Sequence, residues 1–548
     1  MEKDKKKIIL ISIGVILLIT LVVGLSYAMY TFTGSGTKEN VIQTGHIVIT
    51  FNDVNNISIQ NRYPETDSEG LSNTDTNSQM TFTVTSDITG DTKVNYALGI
   101  TDIQEGATLT QDYIKIYLKK GNDVATGFTE NKGELISTFR PLYIENIMDS
   151  HVLLTDVISG SEVHTYTLKA WIDENYKLPS TETNTNGTHT NNTTSETFKF
   201  KIKGYGTTES IEVIDKSLKG LILGKNNSNV LSATATLTDT YSNAGDASGL
   251  YKSIDGETNS GTTYYFRGNN GCQGVKMTQD ICILLGGTTF TASNSSCRDK
   301  SYNYYFTNNL THEQCLVNGG TYDENAVNNY VSFAGLMWRI VRINEDGSIR
   351  LLLNDGINNN TNYKFNPSIN NYTYMYYSNS DVEKGIKRTV DTWYDNNLKT
   401  YEKYIADTEF CEQFKVAYSS YYVTAGSVTV PTYDNYTSNF KCSTDGNGKG
   451  ILTSKVGLLT YDEAIHAGNY IYQSTSSYIT NSSYWLMSPA GAYYSDAHAY
   501  AWAVISDGSV PSYNVDRSLA VRPVISLKAG LLATGSGTSD DPYVVEAH

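Results

Sequence analysis

Cysteine is missing from roughly the first half of this 548-residue chain, and all six cysteines lie from Cys272 onward, at Cys272, Cys282, Cys297, Cys315, Cys411 and Cys442. The part before them must therefore be held by its core alone. Proline is scarce as well, 9 residues against 44 Gly and 42 Tyr. That balance points to many strands and many turns. Basic residues are outnumbered by acidic ones, 41 to 57, for a formal charge of -16. Such a surface repels phosphate and argues against a nucleic-acid partner. After the first 25 residues no apolar run reaches the length of a membrane span. Chemistry-bearing motifs are also lacking. There is no His-Glu-x-x-His, no Gly-x-Ser-x-Gly, no phosphate-binding glycine loop and no zinc-type Cys-x-x-Cys spacing.

The chain begins with a targeting segment. Lys3, Lys5, Lys6 and Lys7 precede an apolar run from Ile8 to Leu25, and Ser26-Tyr27-Ala28 then offers the small residues a signal peptidase reads. Basic-then-apolar order exports the body of the protein, by cleavage after Ala28 or with residues 8–25 retained as an anchor. Leu178-Pro179-Ser180-Thr181-Glu182 is internal, with no apolar tail behind it, and reads as a loop. At ~100–200 residues per domain the chain predicts several domains.

From about residue 29 to 206 the pattern is strand-like. Met80, Phe82 and Val84 alternate with threonines; Ile114, Ile116 and Leu118 alternate with Lys115 and Tyr117. Tyr166, Leu168, Ala170 and Ile172, then Phe198, Phe200 and Ile202, repeat the rhythm. Period two sends one face into a core and one into water, and several such runs predict an all-β sandwich. The stretch SYAMYTFTGSGTKENVIQTGHIVITFND, followed by ISIQNRYPETDSEGL, resembles the TasA/camelysin family of secreted matrix proteins of Gram-positive bacteria. The resemblance implies a jelly-roll-like sandwich over 29–206, a cell-surface or extracellular location, and self-association into fibres through a freed N-terminal strand.

Residues 207–548 read as a second, α+β domain. Ile211, Ile214, Leu218, Leu221 and Ile222 fall at helical spacing. Asn328 to Leu353 forms a hairpin about Asp346-Gly347, since an Asp-Gly pair tolerates the positive φ of a tight turn. Tyr461 to Gly468 is a helix, on which Asp462 and His466 are i,i+4 neighbours, read as a hydrogen-bonded pair on the helix surface rather than a catalytic base. Six cysteines in an exported domain predict disulfides. Sequence leaves many pairings open; the sequential set, Cys272–Cys282, Cys297–Cys315 and Cys411–Cys442, is expected because each bond closes a local insertion. Asp445-Gly446-Asn447-Gly448-Lys449-Gly450 starts like a calcium loop, but Lys449 stands where a third oxygen is needed, so it reads as a glycine-rich turn with no metal.

The stretch Tyr484 to Leu527 organises this half. Trp485, Leu486, Met487, Ala503, Val504, Ile505, Val521, Val524, Ile525 and Leu527 read as framework. The first two strands are expected to face each other across the Asp507-Gly508 turn or the Ala490-Gly491 loop. Between the anchors lie Tyr493, Tyr494, Asp496, His498 and Tyr500, then Ser512 and Tyr513. Rigid aromatics among small polar residues make either a recognition surface or ordinary solvated loops. FAGLMWRIVRINEDGSIRLL, VGLLTYDEAIHAG, YWLMSP and VRPVISL together resemble a bacterial C-type-lectin-like domain, of the class holding formylglycine-generating enzymes and the variable proteins of diversity-generating retroelements. The resemblance implies that C-terminal loops present a ligand platform, here Tyr493, Tyr494, Asp496, His498, Tyr500, Ser512 and Tyr513. Each of these residue types is reachable from an Asn codon by adenine substitution, as retroelement diversification would require. The formylglycine-generating branch uses a late cysteine pair, and here no cysteine follows Cys442. Three functions remain, in falling order. The first is an adhesin-like surface protein binding an extracellular carbohydrate or protein. The second is a structural biofilm-matrix or fibre subunit, and the third an enzyme of the formylglycine-generating type. No catalytic residue and no cofactor is expected.

Overall fold

The alternating runs of the N-terminal part pair into two sheets. In one, Val163–Asp173 is central, with Gln79–Ser86 and Ile114–Lys120 antiparallel to it and Ile47–Thr50 at the edge against Gln79–Ser86. In the other, Lys93–Thr101 lies between His151–Ser159 and Lys201–Thr207. This is a computed structural model. It describes residues 47–50, 57, 63–75, 78–87, 93–101, 114–121, 142–144, 151–174, 176, 201–226, 230–232, 247–253, 262–368, 372–379, 385–412, 439–442, 450–492 and 498–547. The expected signal segment, Leu178–Glu182, the Asp445–Lys449 turn, Phe198 and Phe200 lie outside the described residues. Among those described, no helix is long and apolar enough to cross a membrane. The chain divides into two units, Met1–Lys216 and Ser217–His548.

Period two explains the core of the first unit. Phe82, Val84, Ile116, Leu118, Tyr166 and Leu168 from one sheet share a single buried cluster with Val94, Tyr96, Leu98 and Ile100 from the other. The short helix Asp67–Ser72 starts at a capping box between Thr66 and Glu69 and rests on Trp171. A Cβ at Gly70 would strike that indole, so only glycine lets the helix sit so close. One polar knot links strands of both sheets. Tyr166 Oη donates to Asp156 Oδ2 at 2.9 Å, Lys120 Nζ lies 2.5 Å from the same oxygen, and Tyr96 Oη meets both Tyr166 Oη and His164 Nδ1.

The helix foreseen from Ile211 onward starts only at Leu218 and ends at Asn226. Ser217 explains the start: its Oγ accepts from the Gly220 amide, as an N-cap does. Ile211 packs instead on a small outer cluster with Ala97, Ile144 and Val152, and Ile214 joins a two-residue strand against Leu142–Tyr143.

In the second unit, Leu336–Ile343 and Ile349–Leu353 form the foreseen hairpin, turned by Gly347 at φ 82°. It belongs to a ten-stranded sheet that also takes in Tyr264–Arg267, Val456–Leu458 and Pro523–Leu527. A separate three-stranded sheet comprises Tyr484–Ala492, Ala499–Val504 and Ser512–Asn514. The Asp507-Gly508 turn joins the last two of these, with Ser509 donating through both N and Oγ to Asp507 Oδ1. It does not join the first two, and Ala490-Gly491 lies within the first strand. Residues 493–498 make that connection.

All six cysteines are bonded, but two of the three expected pairs are wrong. The bonds are Cys272–Cys315, Cys282–Cys297 and Cys411–Cys442. The first two are nested, not sequential. Gly271–Gln273 pairs antiparallel with Thr321–Asp323, and helix His312–Val317 packs on both, which carries Cys315 back to Cys272. Thr289–Thr291 then hairpins onto Ser296–Arg298, which returns Cys297 to helix Gln279–Leu284 and Cys282. Strand pairing, not loop length, chose the partners.

Candidate functional site

The framework around the expected ligand loops is buried as foreseen. Trp485, Leu486, Met487, Ala503, Val504, Val521, Val524, Ile525 and Leu527 are in the core, and only Ile505 is half-buried. Trp485 Nε1 donates to the Tyr363 carbonyl at 2.9 Å, which anchors the first strand. Of the seven expected ligand residues, Tyr493, Tyr494 and Asp496 lie outside the described residues. His498, Tyr500, Ser512 and Tyr513 are half-buried.

These four do not form one face. Trp502 pairs with Ser512, Ala501 with Tyr513 and Tyr500 with Asn514. Side chains directly opposite each other share a face, and neighbours along a strand alternate. Tyr500, Trp502, Ser512 and Asn514 thus share one face of the sheet, and Tyr513 projects from the other. Neither face is fully open: on the first, Trp502 packs on Tyr461 at 4.7 Å between ring centroids, and on the second, Ala501 is fully buried. Both Tyr500 and Tyr513 touch the main apolar core. Arg517 stacks over the Tyr513 ring at 3.8 Å. Burial pushes the Tyr513 phenol upward, with Arg517 working in the opposite direction.

Helix Tyr461–His466 is no surface element. Every one of its residues is buried. His466 Nδ1 bonds the Asp462 carbonyl at 2.9 Å rather than its carboxylate, and the ring is packed by Phe440 and Tyr265. Burial pushes the imidazole down to about 4, with the Asp462 carbonyl and carboxylate resisting and the Arg267 and Arg342 charges assisting. Glu463 caps the helix through Thr460 and pairs with Arg350 at 2.5 Å and Arg342 at 3.3 Å. These charges brace the fold. Arg522 does likewise: its guanidinium donates to the carbonyls of Leu353 and Ile479, tying the last long strand to two distant segments.

Sequence reading missed a polar cleft of about 90 Å³ on the second unit. Four separate stretches meet there: Ser248, the Arg267–Met277 region, Ser295 with Phe306–Asn308, and Gly468–Ser476. Its only sequence signals are short runs of small polar residues, such as Asn269-Asn270-Gly271 and Ser474-Thr475-Ser476-Ser477. One loop serves both the cleft and the C-terminal strands. Tyr470 and Ser474 line the cleft, while Tyr472 between them meets Ser512 Oγ at 3.4 Å. Among the described residues no cluster of three or more His, Cys, Asp or Glu could hold a metal ion.

No family model matches the chain, and neither the curated proteins nor the solved structures contain a match to it.

Proposed function

We propose that this is an exported, surface-displayed ligand-binding protein. In this reading a jelly-roll-like sandwich carries a lectin-like head, whose loops about residues 493–500 and 512–513 recognise an extracellular carbohydrate or protein. One observation carries the reading. A fully buried framework, Trp485 to Met487 and Val521 to Leu527, brackets a strand pair on which Tyr500, Ser512 and Tyr513 stay half-buried, so part of each is open to solvent beside a rigid core. Tyrosine on a rigid support presents a large contact area at low entropic loss. The three disulfides agree with an oxidising location outside the cytoplasm.

The test uses three of the expected ligand residues that lie outside the described core contacts. Binding of the protein to arrayed glycans and extracellular proteins should fall by about 2 kcal/mol or more when Tyr493, Tyr494 and His498 are replaced by alanine together. Tyr500→Ala and Tyr513→Ala are less clean, because both rings pack on the core. Unchanged array binding by the triple variant would move the site elsewhere.

A fibre subunit is the second reading, favoured by one feature. Ile47–Thr50 occupies the edge of its sheet and pairs only with Gln79–Ser86 among the described strands. Withdrawing it would open an unpaired strand edge to another copy. Protein beginning at Met29 should then polymerise with concentration, and a strictly monomeric sedimentation profile would reject this assembly.

A further inference from the structure

We infer that the polar cleft on the second unit is a separate, metal-independent site for a neutral polyhydroxylated ring, such as the terminal residue of a glycan. The inference shares with the proposed function only that this unit binds ligands, and it concerns different residues.

Charge decides the ligand class. The lining holds no carboxylate and no lysine, and its single formal charge is Arg267. That guanidinium is committed: it donates to the carbonyls of Ile465 and His466 and to Tyr470 Oη, and it is 2% exposed. An anionic ligand would find no available cation and a cationic ligand no carboxylate, on a chain that carries -16 overall. Neutral polar ligands remain.

Hydrogen-bonding capacity then narrows the choice. Asn269 Nδ2 donates to Ser476 Oγ at 2.9 Å, and Gln273 Nε2 donates to the Asn269 carbonyl at 2.6 Å. Ser248 Oγ donates to Gln273 Oε1 at 2.5 Å. These bonds hold the lining groups in place. A hydroxyl that accepts one bond still has its own proton to give, so Ser476 can serve a ligand as donor. Asn308 Oδ1 is buried and has no hydrogen-bond partner. Buried polar atoms are almost always paired, so this acceptor leaves hydrogen-bonding capacity unused in the cleft wall, which a small side-chain rotation would offer to a hydroxyl. A sugar hydroxyl, which both donates and accepts, answers both groups. Phe306, Val275 and Met277 add apolar wall for the C–H face of a ring.

Size and stiffness agree. The cleft, about 90 Å³, is small beside the roughly 300–1,000 Å³ of drug-sized sites, which suits one terminal ring of a ligand whose remainder stays in solvent. The walls are fixed before any ligand arrives. One contains Cys272, bonded to Cys315. The other is tied by Gly268 N to the Ala467 carbonyl and by Tyr478 N to the Gly268 carbonyl. Gly268, at φ +80°, could not be replaced without a Cβ striking Ser248. A preformed site loses less entropy on binding.

Saturation-transfer NMR on the full chain in EDTA tests this, with the methyl glycosides of glucose, galactose, mannose and N-acetylglucosamine as probes. Glucose 6-phosphate and glucuronate serve as charged comparators. At least one neutral glycoside should bind. Asn308→Leu, and separately Ser476→Ala, should weaken that binding about tenfold with the fold intact by circular dichroism. The Tyr493, Tyr494 and His498 triple variant should leave it unchanged, which separates this site from the loop platform. No binding by any neutral glycoside would overturn the inference. So would preference for the charged comparators, or indifference to whichever of the two cleft substitutions folds.

Discussion

The two units solve the same problem with different means. The first contains no cysteine and needs none, because long alternating strands give its two sheets a common apolar core from Phe82 to Ile202. The second has a much larger main core but also carries a segment, roughly 271–323, whose own cluster is little more than Cys272, Ile281, Leu310 and Cys315 with a few partly buried neighbours. So small a core cannot offset the entropy of ordering its chain. Two nested disulfides supply the difference. The units also differ in where charge is buried. The first keeps its pair of Lys120 and Asp156 partly in reach of water, whereas the second encloses the Glu463–Arg350 pair almost completely. The two nested bonds therefore fall where the apolar cluster is smallest, and the buried ion pair ties a strand of the large sheet to helix Tyr461–His466.

Reduction should separate the units most strongly. Opening the loop closed by Cys272–Cys315, 43 residues apart, removes about 4 kcal/mol on a chain-entropy estimate. Cys272→Ser with Cys315→Ser, or added thiol reductant, should lower the melting transition of the second unit and leave that of the first in place. A single unshifted transition would break the comparison. Non-reducing peptide mapping should recover Cys272 with Cys315 and Cys282 with Cys297.

Acid should distinguish them next. The unfolded chain protonates His466 near 6.5, while the folded unit resists until about 4. Protons thus bind the unfolded state more tightly between those values. The stabilisation is whole above about pH 6.5 and is lost as pH falls toward 4, about 3 kcal/mol in all. The first unit depends on a group that titrates in a lower window. Burial alone would raise the Asp156 carboxyl, but hydrogen bonds from Lys120, the Val157 amide and Tyr166 outweigh it and hold the group below its ordinary value. A lowered carboxyl stabilises above its unfolded pKa, near 4, and fails only below it. Urea titrations at pH 7 and pH 5 should show the second unit weakening and the first steady. His466→Gln, which cannot titrate, should flatten that pH dependence.

Smaller effects sharpen the picture further. Tyr166→Phe removes one donor to Asp156 and should destabilise the first unit by about 1 kcal/mol, read from its urea midpoint. Smallest of all, alanine at Tyr493 or Tyr494 should shift stability by about 0.5 kcal/mol or less while affecting array binding.

Much of this was legible in one dimension. Phe82, Val84, Ile116 and Leu118 declare their inward face by alternation, and Asp346-Gly347 declares its turn. The buried frame of Trp485 to Met487 and Val521 to Leu527 was also readable, because runs of large apolar residues in strand context have nowhere else to go. Relations between distant segments were not. Local loop closure suggested Cys272 with Cys282, yet the pairing of Gly271–Gln273 with Thr321–Asp323 delivered Cys315 instead. Helical spacing put Asp462 and His466 on one face without saying that both would be enclosed. Composition grouped Tyr500, Ser512 and Tyr513, but the register of Ala501 opposite Tyr513 turned Tyr513 to the other side.

Sequence by itself therefore determined the local terms: strand period, turn chemistry such as Asp346-Gly347, the acidic balance of charge, and the presence of thiols with an even count. Only tertiary structure decided which cysteines met, which charges lost water, which tyrosines shared a face, and that four polar stretches would enclose one cleft. The reason is physical. Period and propensity act between residues a few positions apart, whereas pairing register and enclosure are set by segments up to two hundred residues distant, as with Asn269 and Ser476.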